Sequence, residues 1–392
     1  MNTLVIEKKS GSPAKTQLLE YIRQGIDNGR FRPGDRLPTT KEFVNAAGVS
    51  SNTVRQAMAD LIRDGELKAV PGMGTFVVDK RQQEIDSRTN LKRVAILPIF
   101  HQTNITALED SYRAESIRGF LEECERSGAV GSVLPGELIR RDDPEDVRKI
   151  ISSANCQGLI WLYPEPSEWK IIDYLSSYDF PIVVTRRSNI DSDVAFVGAD
   201  YEKAGFDSGR RFIQSGCDNV LLFNHFSQPR YLESQRYCGW PIGIKQGLSR
   251  AFESLLDDAS ERVKQFYLQG FTENQNEIVF DAIEKSDRNT AILFTNNYHL
   301  YNVFLSNPDK AKSLLLGRKV AVIGNRSFLV NLAPFVRDID LDVLVDPFRE
   351  ITQCAAQKLL SLIDGYLART TTLVNIEIKK VNELDLLKYT GI

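Results

Sequence analysis

Near the start of the chain, apolar side chains recur at helical spacing in short blocks. Leu18, Leu19, Ile22 and Ile26 form one such block. Val54, Met58, Leu61 and Ile62 form another, which predicts a helix with that face buried and Ser51, Asn52, Arg55 and Gln56 on the other side. Between them, Thr39 or Thr40 after Pro38 can cap a helix running to Ala46 or Ala47 and ended by Gly48, and Ser50 or Ser51 can cap the next. The tight link from Ala46 to Ser50 has the length of a helix-turn-helix corner. Past Gly65, Lys68, Ala69 and Val70 read as one strand and Thr75, Phe76, Val77 and Val78 as a second. They flank Pro71, Gly72, Met73 and Gly74, where two glycines permit positive φ and a close approach to a phosphodiester backbone. In this order the pieces predict a winged helix-turn-helix, a shape that lies against DNA, with short polar side chains and one arginine offered to base edges and phosphates.

From Arg93 the pattern changes to short apolar runs alternating with amphipathic stretches. Strands are expected at 94–100, 158–163 and 181–185, with helices at 115–128, 144–154 and 168–177. A second series has helices at 202–215, 242–256 and 273–284 and strands at 219–223, near 264–267, at 291–295 and at 319–324. Such alternation implies an α/β fold with doubly wound parallel sheets, here two lobes with a cleft where the carboxyl ends of their strands face each other. The stretch from Asp79 to Lys92 has almost no apolar residues and reads as a linker. The expected organisation is a DNA-binding unit over 1–79, a linker over 80–92 and a two-lobed ligand-binding unit over 93–392, with crossovers between lobes near 200, 325 and 346.

Charge follows the same division. Residues 1–93 carry 16 Lys and Arg against 11 Asp and Glu, a net of +5, and the remainder carries 33 against 41, a net of −8, which together give the −3 of the whole chain. The front end has the sign that docking on DNA requires, in an excess that a solvated surface also explains. No apolar stretch approaches the roughly 18 residues of a membrane span and the N-terminus lacks a signal-peptide pattern, so a cytoplasmic protein is expected. The five cysteines, Cys124, Cys156, Cys217, Cys238 and Cys354, form no CxxC pair and read as free thiols. His101, His225 and His299 are scattered without ligand spacing, so no metal site is expected.

The runs PGDRLP, VSSNTVRQAMADLIRDGEL and GMGTFV resemble the DNA-binding segment of the GntR family of bacterial transcription regulators, over about Ser12 to Asp79. Carried over by position, the resemblance implies DNA contacts from Lys41 early in the second helix, from Ser51, Asn52, Thr53 and Arg55 at the start of the recognition helix, and from Gly72 and Met73 at the wing tip. The family often has arginine where Asn52 stands, which implies weaker phosphate affinity or a different operator. The rest of the chain, from Arg93 to Gly365, resembles the sensor domain of LacI/GalR regulators, which is similar to type I periplasmic sugar-binding proteins. The stretches behind this are FVGADYEKAGFDSGRRFIQSGCDNVLLF, SQRYCGWPIGIKQGL, AILFTNN and VAVIGNRS. The combination is similar to arabinose-repressor-like regulators. By position it implies ligand contacts from Phe100, His101, Gln102 and Asn104, from Arg186 and Arg236, and from Asn297 and Arg326, with Tyr163 and Trp240 available to stack on a sugar ring or to pack in the core or rim.

Where the sugar-binding relatives usually place aspartates, this chain has Asn297 and Arg326, and Arg186 replaces another. Three arginines converging on a cleft favour a ligand with a carboxylate or phosphate, whereas a salt bridge inside the protein is the competing reading of each. The resemblance implies a ligand-responsive repressor of carbohydrate-utilisation genes, a homodimer on a palindromic operator, answering to a sugar or an acidic sugar derivative. No P-loop, GxSxG or HExxH is found, so neither enzyme activity nor a cofactor is expected. The alternative is a winged-helix regulator with an enzyme-derived, aminotransferase-like effector domain, which would need a Schiff-base lysine for pyridoxal phosphate. A solute-binding protein for transport is a further rival, disfavoured by the DNA module.

Overall fold

The computed structural model describes residues 12–70, 74–78, 91–98, 112–134, 143–164, 166–186, 188–189, 192–226, 237–238, 240–256, 261–269, 273–324, 329, 331–366 and 370–381. At the front of the chain stand α1 (Ala14–Asp27), α2 (Thr40–Ala47) and α3 (Ser51–Arg63), followed by β1 (Leu67–Val70) and β2 (Gly74–Val77), an antiparallel pair. Thr39 opens α2 with a capping box: its hydroxyl accepts the Glu42 N–H at 3.2 Å while its own N–H donates to the Glu42 carboxylate at 2.6 Å. Gly48 ends the helix in the left-handed region at φ 63°, and the Ser50 hydroxyl then caps α3 by accepting the Thr53 N–H at 3.1 Å. Leu18, Ile22, Leu37, Phe43, Val54, Ala57, Met58, Leu61, Leu67 and Val77 make the small core of this head. Ile62 is a correction: it is 36% exposed rather than part of the buried face. Counting from Val54, the inward positions are Ala57, Met58 and Leu61, and one more residue rotates Ile62 to the edge of the stripe.

Two six-stranded sheets follow. The first lobe is built on β3 (Arg93–Pro98), β4 (Val130–Val133), β5 (Gly158–Leu162), β6 (Ile182–Thr185) and β8 (Ala195–Ala199), and it is completed by β15 (Thr371–Val374), in the order β15-β8-β6-β5-β3-β4 with every pair parallel. The second lobe uses β9 (Asn219–Phe226), β11 (Val263–Gln269), β12 (Thr290–Phe294), β13 (Lys319–Gly324), β14 (Asp340–Val345) and β16 (Glu377–Lys380), ordered β11-β9-β12-β13-β14-β16, with β16 alone antiparallel. Two-residue strands β7 (Ser188–Asn189) and β10 (Tyr237–Cys238) pair with each other. The chain passes from the first sheet to the second between β8 and β9, returns between β14 and the Phe348–Ile363 helix that packs on β5, β6 and β8, and passes again between β15 and β16. A crossing near 325 is therefore corrected: β13 and β14, on either side of it, are hydrogen-bonded neighbours in one sheet. Apolar residues from both lobes, among them Ala199, Tyr201, Leu344 and Ile376 beside the crossings, join in one buried cluster. Cys124, Cys156, Cys217 and Cys354 are free, and burial pushes the Cys124 and Cys156 thiols up to about 12.

Behind the second sheet, the Tyr201–Gln214 and Trp240–Leu255 helices touch backbone to backbone. A Cβ on Gly247 would stand 1.9 Å from the Glu202 carbonyl oxygen, and one on Gly205 would stand 2.3 Å from that of Ile244. Neither atom can rotate away, so a larger residue must part the helices. In Gly247→Ala the helix-propensity gain of about 1 kcal/mol is outweighed by overpacking of about 1–3 kcal/mol. Net destabilisation is the expected outcome of urea unfolding, and a more stable variant would show that the helices are not locked at this distance.

Candidate nucleic-acid interface and interlobe cleft

On α3 the polar face points outward as the spacing requires. Ser51, Asn52 and Arg55 are exposed, Thr53 is half-buried beneath the Ser50 cap, and Lys41 at the start of α2 is exposed. The back of the head is pinned by ion pairs: Arg23 of α1 reaches Asp64 at 2.7 Å and Glu66 at 2.8 Å, and Lys15 pairs with Asp60. These contacts occupy the acids at the end of α3, so negative charge is neutralised on the side away from the recognition face. Gly72 and Met73 lie outside the described residues. Gly74, the first residue of β2, has φ 112°, and a Cβ there would meet the Arg36 Nε at 2.7 Å. A concavity of about 340 Å³ between wing and recognition helix is lined by Arg36, Thr39, Thr40, Arg55, Gly74 and Thr75, among others.

At the carboxyl ends of the first sheet, Tyr163 follows β5 with φ 51° and Arg186 follows β6 with φ 66°, both in the left-handed region that non-glycine residues rarely adopt. Arg186 is 5% exposed, and its guanidinium grips the Asp346 carboxylate with both terminal nitrogens, Nη2 at 2.6 Å from Oδ2. Nη2 also donates to the Tyr201 hydroxyl at 2.6 Å, and the Phe348 ring centroid lies 4.3 Å from the guanidinium carbon. Burial alone would discharge this arginine; the facing Asp346 more than offsets it and holds its pKa well above the ordinary value. Burial likewise pushes the Tyr201 phenol up. Arg186 is thus not an open anion receptor, and the expected trio of unpartnered arginines is corrected at this position: a carboxylate 160 residues away in sequence already meets the charge.

On the second lobe, Thr295, Asn296 and Asn297 follow β12. Asn297 is buried against Gly324 at the end of β13, where a Cβ would come within 3.0 Å of it. His225 and His299, distant in sequence, meet at 2.9 Å between Nδ1 and Nε2, and the His225 backbone N–H donates to the Thr295 hydroxyl at 3.1 Å. Burial lowers both imidazoles, His299 to about 3 with His225 adding to the effect, so the pair is neutral at physiological pH. Sequence spacing gave no sign of this contact. Two fully buried polar groups, the Asn224 amide on β9 and the Thr185 hydroxyl on β6, have no hydrogen-bond partner among the described residues. Of the remaining expected ligand contacts, Trp240 is the first residue of its helix, and Phe100, His101, Gln102, Asn104, Arg236 and Arg326 lie outside the described residues. Among the described residues no cluster of three or more His, Cys, Asp or Glu is placed to hold a metal, and no helix is long and apolar enough to cross a membrane.

Residues 14–77 match the model of the bacterial regulatory proteins of the gntR family. They are a GntR-type helix-turn-helix. Over this region the chain is 35% identical across 79 residues to the HTH-type transcriptional repressor NagR of Bacillus subtilis, a match covering 20% of this chain and 32% of that one. It is also 35% identical across 83 residues to the arabinose metabolism transcriptional repressor of Geobacillus stearothermophilus, covering 21% and 23%. The chain spans less than a third of the length of these curated relatives. The remainder has the fold of a LacI-family regulatory protein from Chloroflexus aggregans, with a TM-score of 0.55 at 16% identity, covering 73% of this chain and 96% of the other. The effector unit is therefore the LacI-type two-lobed fold, and the aminotransferase-like alternative is set aside.

The buried pair gives a stability prediction. Arg186→Met strands the Asp346 carboxylate in the interior and costs about 3–5 kcal/mol, whereas adding Asp346→Leu recovers much of the loss. Chemical unfolding of the two variants checks this, and a single variant as stable as the parent would remove Arg186 from the lobe junction.

Proposed function

We propose that this chain is a ligand-responsive bacterial transcription repressor of carbohydrate-utilisation genes. It comprises a DNA-binding unit over 1–79, a linker over 80–92 and a sensor over 93–392. As a cytoplasmic homodimer it binds a palindromic operator through its winged helices and takes a sugar or sugar derivative between the lobes. The observation that supports this most is the outward row of Ser51, Asn52 and Arg55 on a capped recognition helix, within a segment matched by the gntR family and joined to a LacI-type sensor fold. Lys41, Thr53, Gly72 and Met73 complete the assigned DNA surface. The likeness of the DNA-binding unit to the arabinose metabolism transcriptional repressor of Geobacillus stearothermophilus supports the carbohydrate assignment. Ligand binding that favours one arrangement of the lobes changes operator affinity by the ligand's differential affinity for the two states.

Arg55 stands one turn after Ser51 on the exposed face. Arg55→Ala weakens operator binding by about 1–3 kcal/mol without loss of fold. A gel-shift titration with unchanged affinity would take this residue off the DNA surface.

For the effector, the assigned cleft residues are Phe100, His101, Gln102, Asn104, Tyr163, Arg186, Arg236, Trp240, Asn297 and Arg326. With Arg186 bound to Asp346, the preference for an acidic ligand rests on Arg236 and Arg326. Calorimetry with a hexose against its uronic acid tests it. The acid binds more tightly if these two arginines meet the ligand, and equal or tighter binding of the neutral sugar returns them to structural salt bridges.

A further inference from the structure

We propose that Glu145 of the first lobe holds the DNA head in a docked, non-binding posture by occupying Arg36, a cation that takes a DNA phosphate when the head is released. The proposal rests on the reading of residues 14–77 as a DNA-binding unit and adds to it a residue of the sensor that competes with DNA.

Arg36 belongs to the DNA-facing side of the head. It lines the concavity between wing and recognition helix together with Arg55 and Thr75, and its backbone bridges to Phe76 of β2. Its Nε lies against Gly74, so its side chain runs beneath the wing. There its Nη1 donates to Glu145 Oε1 at 2.7 Å, a contact spanning 109 residues of sequence. A carboxylate oxygen on a guanidinium is the same pairing that a phosphate oxygen makes, so the two acceptors compete for one donor.

Glu145 is itself held in place. It is the second residue of the Pro144–Ser153 helix; Arg148 donates to both its oxygens, at 2.8 and 2.6 Å, and the Tyr174 hydroxyl donates to it at 2.7 Å. Arg148 first, then Tyr174 and Arg36, keep its carboxyl down at about 2 despite partial burial, so it carries its full charge at neutral pH. The acid is thus presented by the sensor at a fixed point, and Arg36 comes to it. A second contact runs alongside. Phe76 of the wing strand is 9% exposed and belongs to the apolar cluster of the first lobe that contains Leu97, Val147 and Ile151. The wing's position is therefore tied to the helix that carries Glu145, and DNA that draws Arg36 to a phosphate must detach it from Glu145. The carboxylate left at the junction repels the approaching backbone, which adds to the competition.

Glu145→Gln preserves shape and, with its one amide oxygen in the place of Oε2, still accepts from Arg148 Nε and the Tyr174 hydroxyl, but it removes the charge and turns an NH2 group, which cannot accept, toward Arg36. In the full-length chain it raises operator affinity about two- to fivefold, the range of one exposed ion pair. It also steepens the dependence of log K on log salt by about one phosphate contact. A purely structural role for Glu145 changes thermal stability and leaves that salt slope untouched. In the double variant Arg36→Ala with Glu145→Gln, affinity and slope return to parental values or below. The proposal is overturned if Glu145→Gln binds operator with the parental affinity and slope while Arg55→Ala still weakens binding. It is overturned equally if the double variant keeps the steeper slope. Should Arg55→Ala also have no effect on a demonstrated operator complex, the failure lies with the DNA surface assigned to the helix-turn-helix and not with the docking contact alone.

Discussion

The architecture of the sensor depends on one buried ion pair. Arg186 leaves the first sheet at the end of β6, and Asp346 sits where the chain leaves the second sheet at the end of β14. Tyr201, just past the first crossing, hydrogen-bonds to both. Asp346 also donates its backbone N–H to the Gly324 carbonyl at 3.2 Å, so the pair reaches the end of β13 as well. Two charges out of water cost several kcal/mol each, and mutual attraction repays that only with close geometry and additional hydrogen bonds. Both conditions hold here, and they hold only while the two lobes keep this edge together. Any opening of the cleft has to pivot about this post, because parting it would strand both charges. The left-handed backbone at Arg186 and Tyr163 fits this picture: such conformations persist where the surroundings over-determine them.

Fixing the pivot also shapes the cleft's chemistry. Once Arg186 is neutralised by Asp346, the described groups at the strand ends are mostly uncharged: the Thr185 hydroxyl, the Asn224 and Asn297 amides, and a histidine pair kept neutral by burial. The sheet pattern explains their placement. Along β9, Val220 and Leu222 face one apolar cluster while Leu221 and Phe223 face the other, so strand alternation puts Asn224 on the face of Leu222 and His225 on the face of Phe223. His299 waits on that second face, on the Asn297–Ser306 helix. A polar Asn224 at the rim of an otherwise apolar layer is costly unless something meets its amide.

How much of this could be read from sequence divides along the range of the interactions. The helix-turn-helix was legible because its signals are local: Thr39 with Glu42, Gly48 and Ser50 act within a turn of where they stand. Central strands such as those around Val183, Ile292 and Val320 were legible because burial on both faces makes them continuous apolar runs. Edge strands were less so: β11 was expected near 264–267, but Val130–Val133 includes Gly131 and Ser132, Glu377–Lys380 is mostly charged, and neither has a fully buried residue. The crossing expected near 325 was misplaced because β14 continues the second sheet, which only its pairing with β13 reveals, and the last crossing, between β15 and β16, had no signal in the sequence. The partners of Arg186 and His299 lie 160 and 74 residues away, beyond anything periodicity reports.

Among the described residues the contact between head and sensor is small, and that size suits regulation. Beyond the hydrophobic layer reached by Phe76, these residues supply one ion pair, between side chains about a quarter to a third exposed. An exposed pair contributes at most about 1 kcal/mol, and burying one phenylalanine contributes roughly 1.5–3 kcal/mol. Ordering the linked head offsets part of this, so the docked form leads the free form by on the order of 1–2 kcal/mol. A margin of that order is one that a ligand preferring one lobe arrangement by about 10- to 100-fold can overturn. A larger interface would lock the head against any effector, and none at all would leave the sensor with no hold on the wing. Arg36 is therefore a natural meeting point of the two functions, since the same guanidinium braces Gly74 at the wing and answers to Glu145 on the lobe.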